Sequence, residues 1–271
     1  MRKLFDILRL VRLHNITAAV LCVGAGYWMA YPRAFPPFLL LAAVALVTAA
    51  GNVINDYYDI DIDRINKPRR ALPSGGISRR TAFLFYLFLI LLLVSVFPGL
   101  ELFQAGWLAV WVTALHMYSR ALKRMPLLGN LTVAVVTGSG FLLGAVSAGD
   151  AGAGVIPGVL TFFFVTGREI IKDCEDIEGD ERCGARTLPV VAGVARSSRA
   201  AAGIFLALVL AFPVPWMTGV YSGAYGWIMV ISMLPLLLMS FIFSLLGRRF
   251  RMVTMLLKAG MFIGIAAFVA G

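Results

Sequence analysis

Eleven of the 14 aspartates and glutamates in this 271-residue chain crowd into two short stretches. NDYYDIDID supplies Asp56, Asp59, Asp61 and Asp63; REIIKDCEDIEGDE supplies Glu169, Asp173, Glu175, Asp176, Glu178, Asp180 and Glu181. On a helix, Asn55, Asp56, Asp59 and Asp63 share one face at spacings of three and four residues, and so do Asp173, Asp176 and Asp180. Like charges at those spacings repel, so helix stability does not explain the pattern. A cation does. Mg²⁺ favours oxygen ligands and is commonly held by one or two carboxylates plus substrate phosphate oxygens. Two such sets facing each other across a cavity would hold two Mg²⁺ ions bridged by one diphosphate. A solvated loop is the plain alternative for an acidic run. It does not require Asp at successive helical repeats, twice, in a chain otherwise short of acid.

Cations accompany both motifs. Arg64, Lys67, Arg69 and Arg70 follow the first, Arg168, Lys172 and Arg186 frame the second, and Arg120, Lys123 and Arg124 form a third group. Such side chains neutralise phosphate oxygens. Arg9 and Arg12, or Arg69 and Arg70, are further candidate anchors for a phosphate-bearing second substrate, and positive charge at a membrane face accounts for them equally well.

The elements that must position these residues are apolar. Hydrophobic residues make up 60% of the chain, charged residues 14%, and mean hydropathy is +0.88, more apolar side chain than a soluble domain buries. Nine runs are long enough to cross a bilayer, at 16–31, 37–54, 81–99, 102–117, 127–148, 154–171, 200–219, 225–246 and 252–270. Only a short Gly-Leu-Glu turn parts the third from the fourth, so eight is the alternative count. The runs are continuous rather than alternating, which excludes a membrane β-barrel. The expected fold is all-α and polytopic, about nine transmembrane helices around a central cavity, with residues 1–271 forming one domain. The acidic motifs fall just after the second and sixth helices.

A net charge of +10 raises the question of nucleic acid, but with alternating spans 23 of the 24 Lys and Arg residues lie at one face and only Arg33 at the other. That asymmetry is a topology signal: N-terminus cytoplasmic, C-terminus outside, acidic motifs at the cytoplasmic face. It argues for anionic headgroups of membrane lipids rather than nucleic acid as the contact of the basic excess. MRKLFDILRLVRLHN precedes the first run without a small-residue cleavage pattern, so that helix is expected to be retained. Cys22, Cys174 and Cys183 have no metal-ligand spacing and read as packing residues or free thiols.

DRINKPRRALP and DERCGARTLP run alike from a last Asp through a basic loop to Arg, a small residue and Leu-Pro. The echo points to two pseudo-symmetric four-helix halves plus one helix.

NDYYDIDIDRINKPRRALPSGGIS and KDCEDIEGDERCGARTLPV resemble the paired motifs N-D-x-x-D-x-x-x-D and D-x-x-D-x-x-x-D of the UbiA-type intramembrane prenyltransferases. The resemblance spans the chain, since that family is similarly short, nine-helical and places its motifs after helices 2 and 6. It implies Mg²⁺-dependent transfer of a prenyl group from its diphosphate. Asn55, Asp59, Asp63, Asp176 and Asp180 are then ion and diphosphate ligands, with Asp56 and Asp173 extending the sets. Asp59, Asp63, Asp176 and Asp180 are the expected catalytic carboxylates. HMYSRALKRMPLLGN resembles the family's Tyr-Ser and Lys after helix 4, which assigns Tyr118, Ser119 and Lys123 to the diphosphate; Asn130 is a further polar candidate. ALPSGGIS and REIIKDCEDIEGD look most like the archaeal branch that moves a geranylgeranyl chain onto geranylgeranylglyceryl phosphate, a lipid acceptor. Branches that prenylate aromatic acceptors, of quinone, chlorophyll or haem O type, share the same metal motifs.

In physical terms, an allylic diphosphate ionises when charge on its leaving group is stabilised by metal and fixed cations, and the carbocation must be kept from water. Tyr57, Tyr58, Phe83 and Phe162 to Phe164 are candidate aromatic faces for it, against a packing or lipid-contact role for each. His14 and His116 lie near cytoplasmic helix ends and read as packing residues. An ion-coupled transporter is the competing class. It expects acids near the bilayer midplane, whereas these spans lack Asp and Glu in their cores.

Overall fold

A computed structural model describes residues 2–271, with side chains from residue 6 onward. Among the described residues all regular structure is helical. Helix α1 (Arg2–Val11) is short, and Leu10 and Val11 are buried against Ala50 and Val53. It turns into α2 (Leu13–Ala30) through Arg12, whose φ of 53° lies in the left-handed region that L-residues adopt at a cost. α3 (Phe38–Tyr58) breaks at Asp59 and resumes as α4 (Ile60–Asn66). Hydrogen bonds from Asp59 N–H to the Asn55 carbonyl (3.0 Å) and from Asp63 N–H to the Asp59 carbonyl (2.7 Å) carry the helical repeat across the break. The first motif therefore keeps its three- and four-residue spacing.

α5 (Arg79–Val96) starts where the Ser78 hydroxyl accepts the Thr81 N–H at 3.1 Å. A single turn at Phe97–Gly99 separates it from α6 (Leu102–Arg120), whose first turn carries a Glu101/Gln104 capping box. The third and fourth apolar runs are thus two helices. α7 (Leu128–Ser147) and α8 (Ala151–Arg182) follow. With 32 residues, α8 is about 48 Å long against ~30 Å of hydrocarbon. Its C-terminal turns, bearing Asp173, Asp176 and Asp180, extend past its apolar portion.

The remainder comprises α9 (Leu188–Ala192), α10 (Val194–Ala211), α11 (Val214–Met217), α12 (Gly223–Ile228), α13 (Leu234–Leu245) and α14 (Phe250–Ala270). α12 and α13 are joined by a π-turn at Met229–Met233, just before Pro235, which lacks the N–H a regular helix would use. Among the described residues eight helical segments have the length and hydropathy to cross a membrane. The ninth expected span, α6, has the length but is less apolar, since it carries Gln104, Thr113 and His116. The chain is a multi-pass membrane protein.

Small residues let α2, α7 and α8 approach closely. A Cβ built at Gly144 would overlap the Val23 carbonyl of α2, and one at Gly138 would lie 2.6 Å from the Gly158 carbonyl of α8. In lipid, such backbone proximity rather than the hydrophobic effect holds helices together. These contacts hold α8 beside α2 and α7, and the polar end of α8 comes to face α3 and α4.

Candidate active site

The two acidic motifs meet. Asn66, at the end of α4, donates to the Asp176 carbonyl of α8 at 2.7 Å and accepts the Gly179 N–H at 3.0 Å. Next to it Lys67 forms an ion pair with the Asp176 carboxylate. Lys123, in the turn after α6, pairs with Asp59 at 2.5 Å and lies 3.3 Å from Asn55 Oδ1, while Asn55 donates to Asp59 Oδ2 at 2.9 Å. Arg70 donates to Asp63 at 2.6 Å and to Asp56 at 3.4 Å. The loop that brings Arg70 back is anchored by the buried side chains of Ala71 and Leu72. Arg12 pairs with Asp56 from the other side, aimed there by its left-handed backbone.

On α8, Asp173 accepts from Asn130 at 2.8 Å and Asp180 from the Thr187 hydroxyl at 3.1 Å. Glu169 sits between Arg168 (2.6 Å) and Lys172 (2.9 Å). Burial moves several of these groups from their ordinary values. It raises Asp63 despite the opposing Arg70, with Asp59 and Asp56 adding to the rise. It lowers Lys123, against the pull of Asp59. On Arg12 burial also works against the charge, but Asp56, Asp63 and Asp59 outweigh it and hold the pKa up.

Two connected spaces serve these groups. A small pocket of about 50 Å³ is lined by Asp59, Asp63, Asp173, Asp176, Asp180 and the cations between them. Sharing Lys67, Arg70, Tyr118, Lys172 and Asp176 with it is a cavity of about 970 Å³. That cavity runs inward between α2, α6, α7, α8 and α14 to Cys22, Trp111, Val136, Gly140 and Met261. It is polar at one end and apolar at the other. Such a space takes a long apolar chain with an anionic head.

The UbiA prenyltransferase family model matches residues 19–265. This chain belongs to the UbiA prenyltransferase family. It is 37% identical, over all of its length and 98% of the relative's, to digeranylgeranylglyceryl phosphate synthase of Natronomonas pharaonis. A solved structure described as digeranylgeranylglyceryl phosphate synthase in membranes superposes with a TM-score of 0.74 at 30% identity, covering 100% of this chain and 99% of that one. A UbiA homolog from Archaeoglobus fulgidus, bound to GPP and Mg²⁺, shares the fold with a TM-score of 0.69 at 20% identity, covering 96% and 99%. The protein is an intramembrane prenyltransferase.

In this UbiA-family chain the structure gathers most of the residues expected from sequence. Asn55, Asp59, Asp63, Lys67, Arg70, Tyr118, Lys123, Lys172, Asp173, Asp176 and Asp180 line the small pocket, and Asp56 and Arg168 line the cavity. Three do not line either space. The Ser119 hydroxyl is buried and turned back onto the Leu115 carbonyl at 2.8 Å, because the helical geometry of α6 offers that acceptor. Asn130 stands behind Asp173, as its hydrogen-bond donor. Arg186 is exposed, and its N–H is tied to the Arg124 carbonyl at 2.8 Å. The expected aromatics also lie elsewhere. Tyr57, Tyr58 and Phe83 cluster with Tyr86 and His116, Arg79 covers Tyr57, and Phe164 is in the core. The ring that faces the cavity beside Tyr118 is Trp111, with its indole N–H on Ser139 at 3.0 Å. His14, read from sequence as packing, lines the cavity.

Sequence reasoning also missed Asn66 and Thr187; the only signal for Asn66 is its place at the end of the first motif. Among the described residues no three carboxylate, histidine or cysteine groups form a ready metal cage. The carboxylates face the pocket singly and in pairs: Asp59, Asp63 and Asp176 are each matched to a cation, while Asp173 and Asp180 are held by the neutral donors Asn130 and Thr187. That donor set fits Mg²⁺ that arrives with a diphosphate and takes most of its ligands from phosphate and water.

Proposed function

We propose that this prenyltransferase moves a geranylgeranyl group from geranylgeranyl diphosphate to the free hydroxyl of geranylgeranylglyceryl phosphate, forming an ether bond of archaeal lipids. Residues 1–271 act as one catalytic domain, with the site at the cytoplasmic face, the N-terminus cytoplasmic and the C-terminus outside. The observation that carries the reading is the convergence of both acidic motifs on one small pocket, which opens into a long cavity with an apolar end. The name of the relatives matched over full length supports the choice of acceptor. The neighbour bound to GPP and Mg²⁺ supports the metal and the diphosphate donor.

In this reading Asn55, Asp56, Asp59 and Asp63 on one side, and Asp173, Asp176 and Asp180 on the other, hold two Mg²⁺ ions. When bound, the ions supply Lewis-acid stabilisation of the departing diphosphate. Lys67, Lys123 and Lys172 exchange their carboxylate partners for phosphate oxygens, and Arg70 and Arg12 keep Asp63 and Asp56 in place. The C1–O bond of the donor breaks, the acceptor oxygen bonds C1, and the hydroxyl proton leaves with the diphosphate. The apolar walls near Trp111, Val136 and Met261 keep water from the developing cation. Because the prenyl chain comes from lipid rather than water, its burial contributes little affinity, so recognition rests on the head group.

The test incubates purified protein and Mg²⁺ with geranylgeranyl diphosphate and either geranylgeranylglyceryl phosphate or 4-hydroxybenzoate. The expected product is the diether phosphate, absent in EDTA. A product with the aromatic acid alone overturns the assignment.

A further inference from the structure

The two connected spaces differ in charge. In the small pocket six Lys and Arg residues meet five aspartates. The cavity shares Arg12, Lys67, Arg70, Lys172 and Asp176 with that pocket, and its own lining adds five Lys and Arg residues, Arg9, Arg69, Arg168, Arg251 and Lys258, against three carboxylates, Asp56, Glu169 and Glu175, which leaves a positive excess. Part of that excess stands on an element the acidic motifs do not use. Arg251, Thr254, Lys258 and Met261 follow one another on α14 at spacings of three, four and three, which puts them on one face, and all four line the cavity.

Lys258 sits about two turns into this apolar 21-residue helix. A cation at that depth in a spanning helix is expensive and marks a functional site more often than not. Charge that merely sets topology accounts for Arg251 at the helix start, but not for Lys258, which faces the cavity. Across from α14, Arg168 binds Glu169 through Nη1 while its buried Nε finds no acceptor. Among the described residues no hydrogen bond or ion pair joins the side chain of His14, Arg251 or Lys258 to a partner, and the acid that attracts Lys258 from a distance is Glu175, which lines the same cavity. A buried donor without an acceptor is unfavourable, and here it borders the same cavity as three further basic side chains with no ion-pair partner.

We propose that Arg168, Arg251 and Lys258, with His14, form a second anion subsite, independent of metal, that takes the phosphate monoester of the lipid acceptor. It rests on the lipid-phosphate reading of the acceptor given above. The division of labour follows from charge. A diphosphate accompanied by Mg²⁺ suits the aspartate-rich pocket, whereas a bare phosphate dianion is repelled there and is drawn to the acid-poor wall of α14. With the head held on α14 and the donor head between α4 and α8, the acceptor hydroxyl is presented to the donor from across the cavity.

The experiment measures binding without turnover. Full-length protein in detergent with EDTA is titrated with geranylgeranylglyceryl phosphate and, separately, with uncharged geranylgeranylglycerol. The phosphate form is expected to bind about tenfold tighter or better, the range of charge-assisted hydrogen bonds. Lys258→Met is expected to erase most of that preference, Lys258→Arg to restore it, and donor KM in Mg²⁺ to stay within about twofold for both. A thermal melt shows that Lys258→Met is folded, and Arg251→Gln gives a second probe at the exposed start of the helix. Equal binding of the two lipids, or a preference untouched by both Lys258→Met and Arg251→Gln, overturns the subsite. Turnover of an aromatic acid in place of the glycerol ether overturns the acceptor assignment instead, so the two failures are distinguishable.

Discussion

Replacing Asn66 by Ala isolates the contact that joins the two acidic motifs. The side chain makes two partly buried hydrogen bonds to α8, 2.7 Å to the Asp176 carbonyl and 3.0 Å from the Gly179 N–H. At about 1 kcal/mol net for each, their loss removes roughly 2 kcal/mol from the alignment of α4 with α8. Both partner groups lie inside α8, so the helix keeps its own ladder and the protein stays folded. If alignment is what the donor complex requires, kcat/KM for geranylgeranyl diphosphate falls roughly 30-fold, since 1.4 kcal/mol is a factor of ten. Gly179→Ala reaches the same contact from the other side, because its added Cβ would stand 2.7 Å from the Asn66 Cγ. The two changes therefore should not add: Asn66→Ala with Gly179→Ala loses no more than the worse single variant. The assay is steady-state transfer with donor varied at saturating Mg²⁺, beside thermal melting in detergent. A loss below twofold for Asn66→Ala, or fully additive losses in the double variant, refutes the reasoning.

Other outcomes follow from the same structure. Asp59→Ala or Asp176→Ala abolishes turnover while size-exclusion and circular dichroism profiles stay wild-type; each leaves a half-buried lysine, Lys123 or Lys67, without its partner, and full activity of either variant contradicts the metal role. Gly144→Ala forces α2 from α7 at the Val23 carbonyl and lowers the melting temperature, with about 1–3 kcal/mol lost to overpacking; an unchanged melt counts against that helix contact. Cys183 is the cysteine that is not fully buried, and desolvation first, then Asp61, push its thiol pKa up. Because the thiolate is the reactive form, iodoacetamide should modify Cys183 more slowly than free cysteine at pH 8.5, with the rate rising only at pH values above the usual thiol range. Modification as fast as the free amino acid rules this out.

The spacing of Asn55, Asp56, Asp59 and Asp63, and of Asp173, Asp176 and Asp180, is a local property of helical chains. It could be read without tertiary information, as could the apolar runs whose ends these residues occupy. The lipid environment sharpens that reading, because a spanning segment must satisfy its backbone internally and has little choice but helix. The short turn between α5 and α6 left the helix count open at eight or nine; the structure separates the two helices, and among the described residues eight segments have the length and hydropathy to span, α6 not among them.

What the tertiary structure decided is everything that depends on distance between helices. Lys67 crosses from the first motif to Asp176 of the second, and Asn66 bonds the backbone there. Arg12 reaches Asp56 because a single left-handed residue turns the chain between α1 and α2. Ser119 and Arg186 had the right chemistry and sequence neighbourhood but point elsewhere, and Trp111 faces the cavity where Tyr57, Tyr58 and Phe83 do not. The physical reason is common to all of them. Period and charge fix which face of a helix a residue occupies, while the neighbour that face meets is set by close backbone approaches such as Gly144 on Val23 and Gly138 on Gly158, far away along the chain.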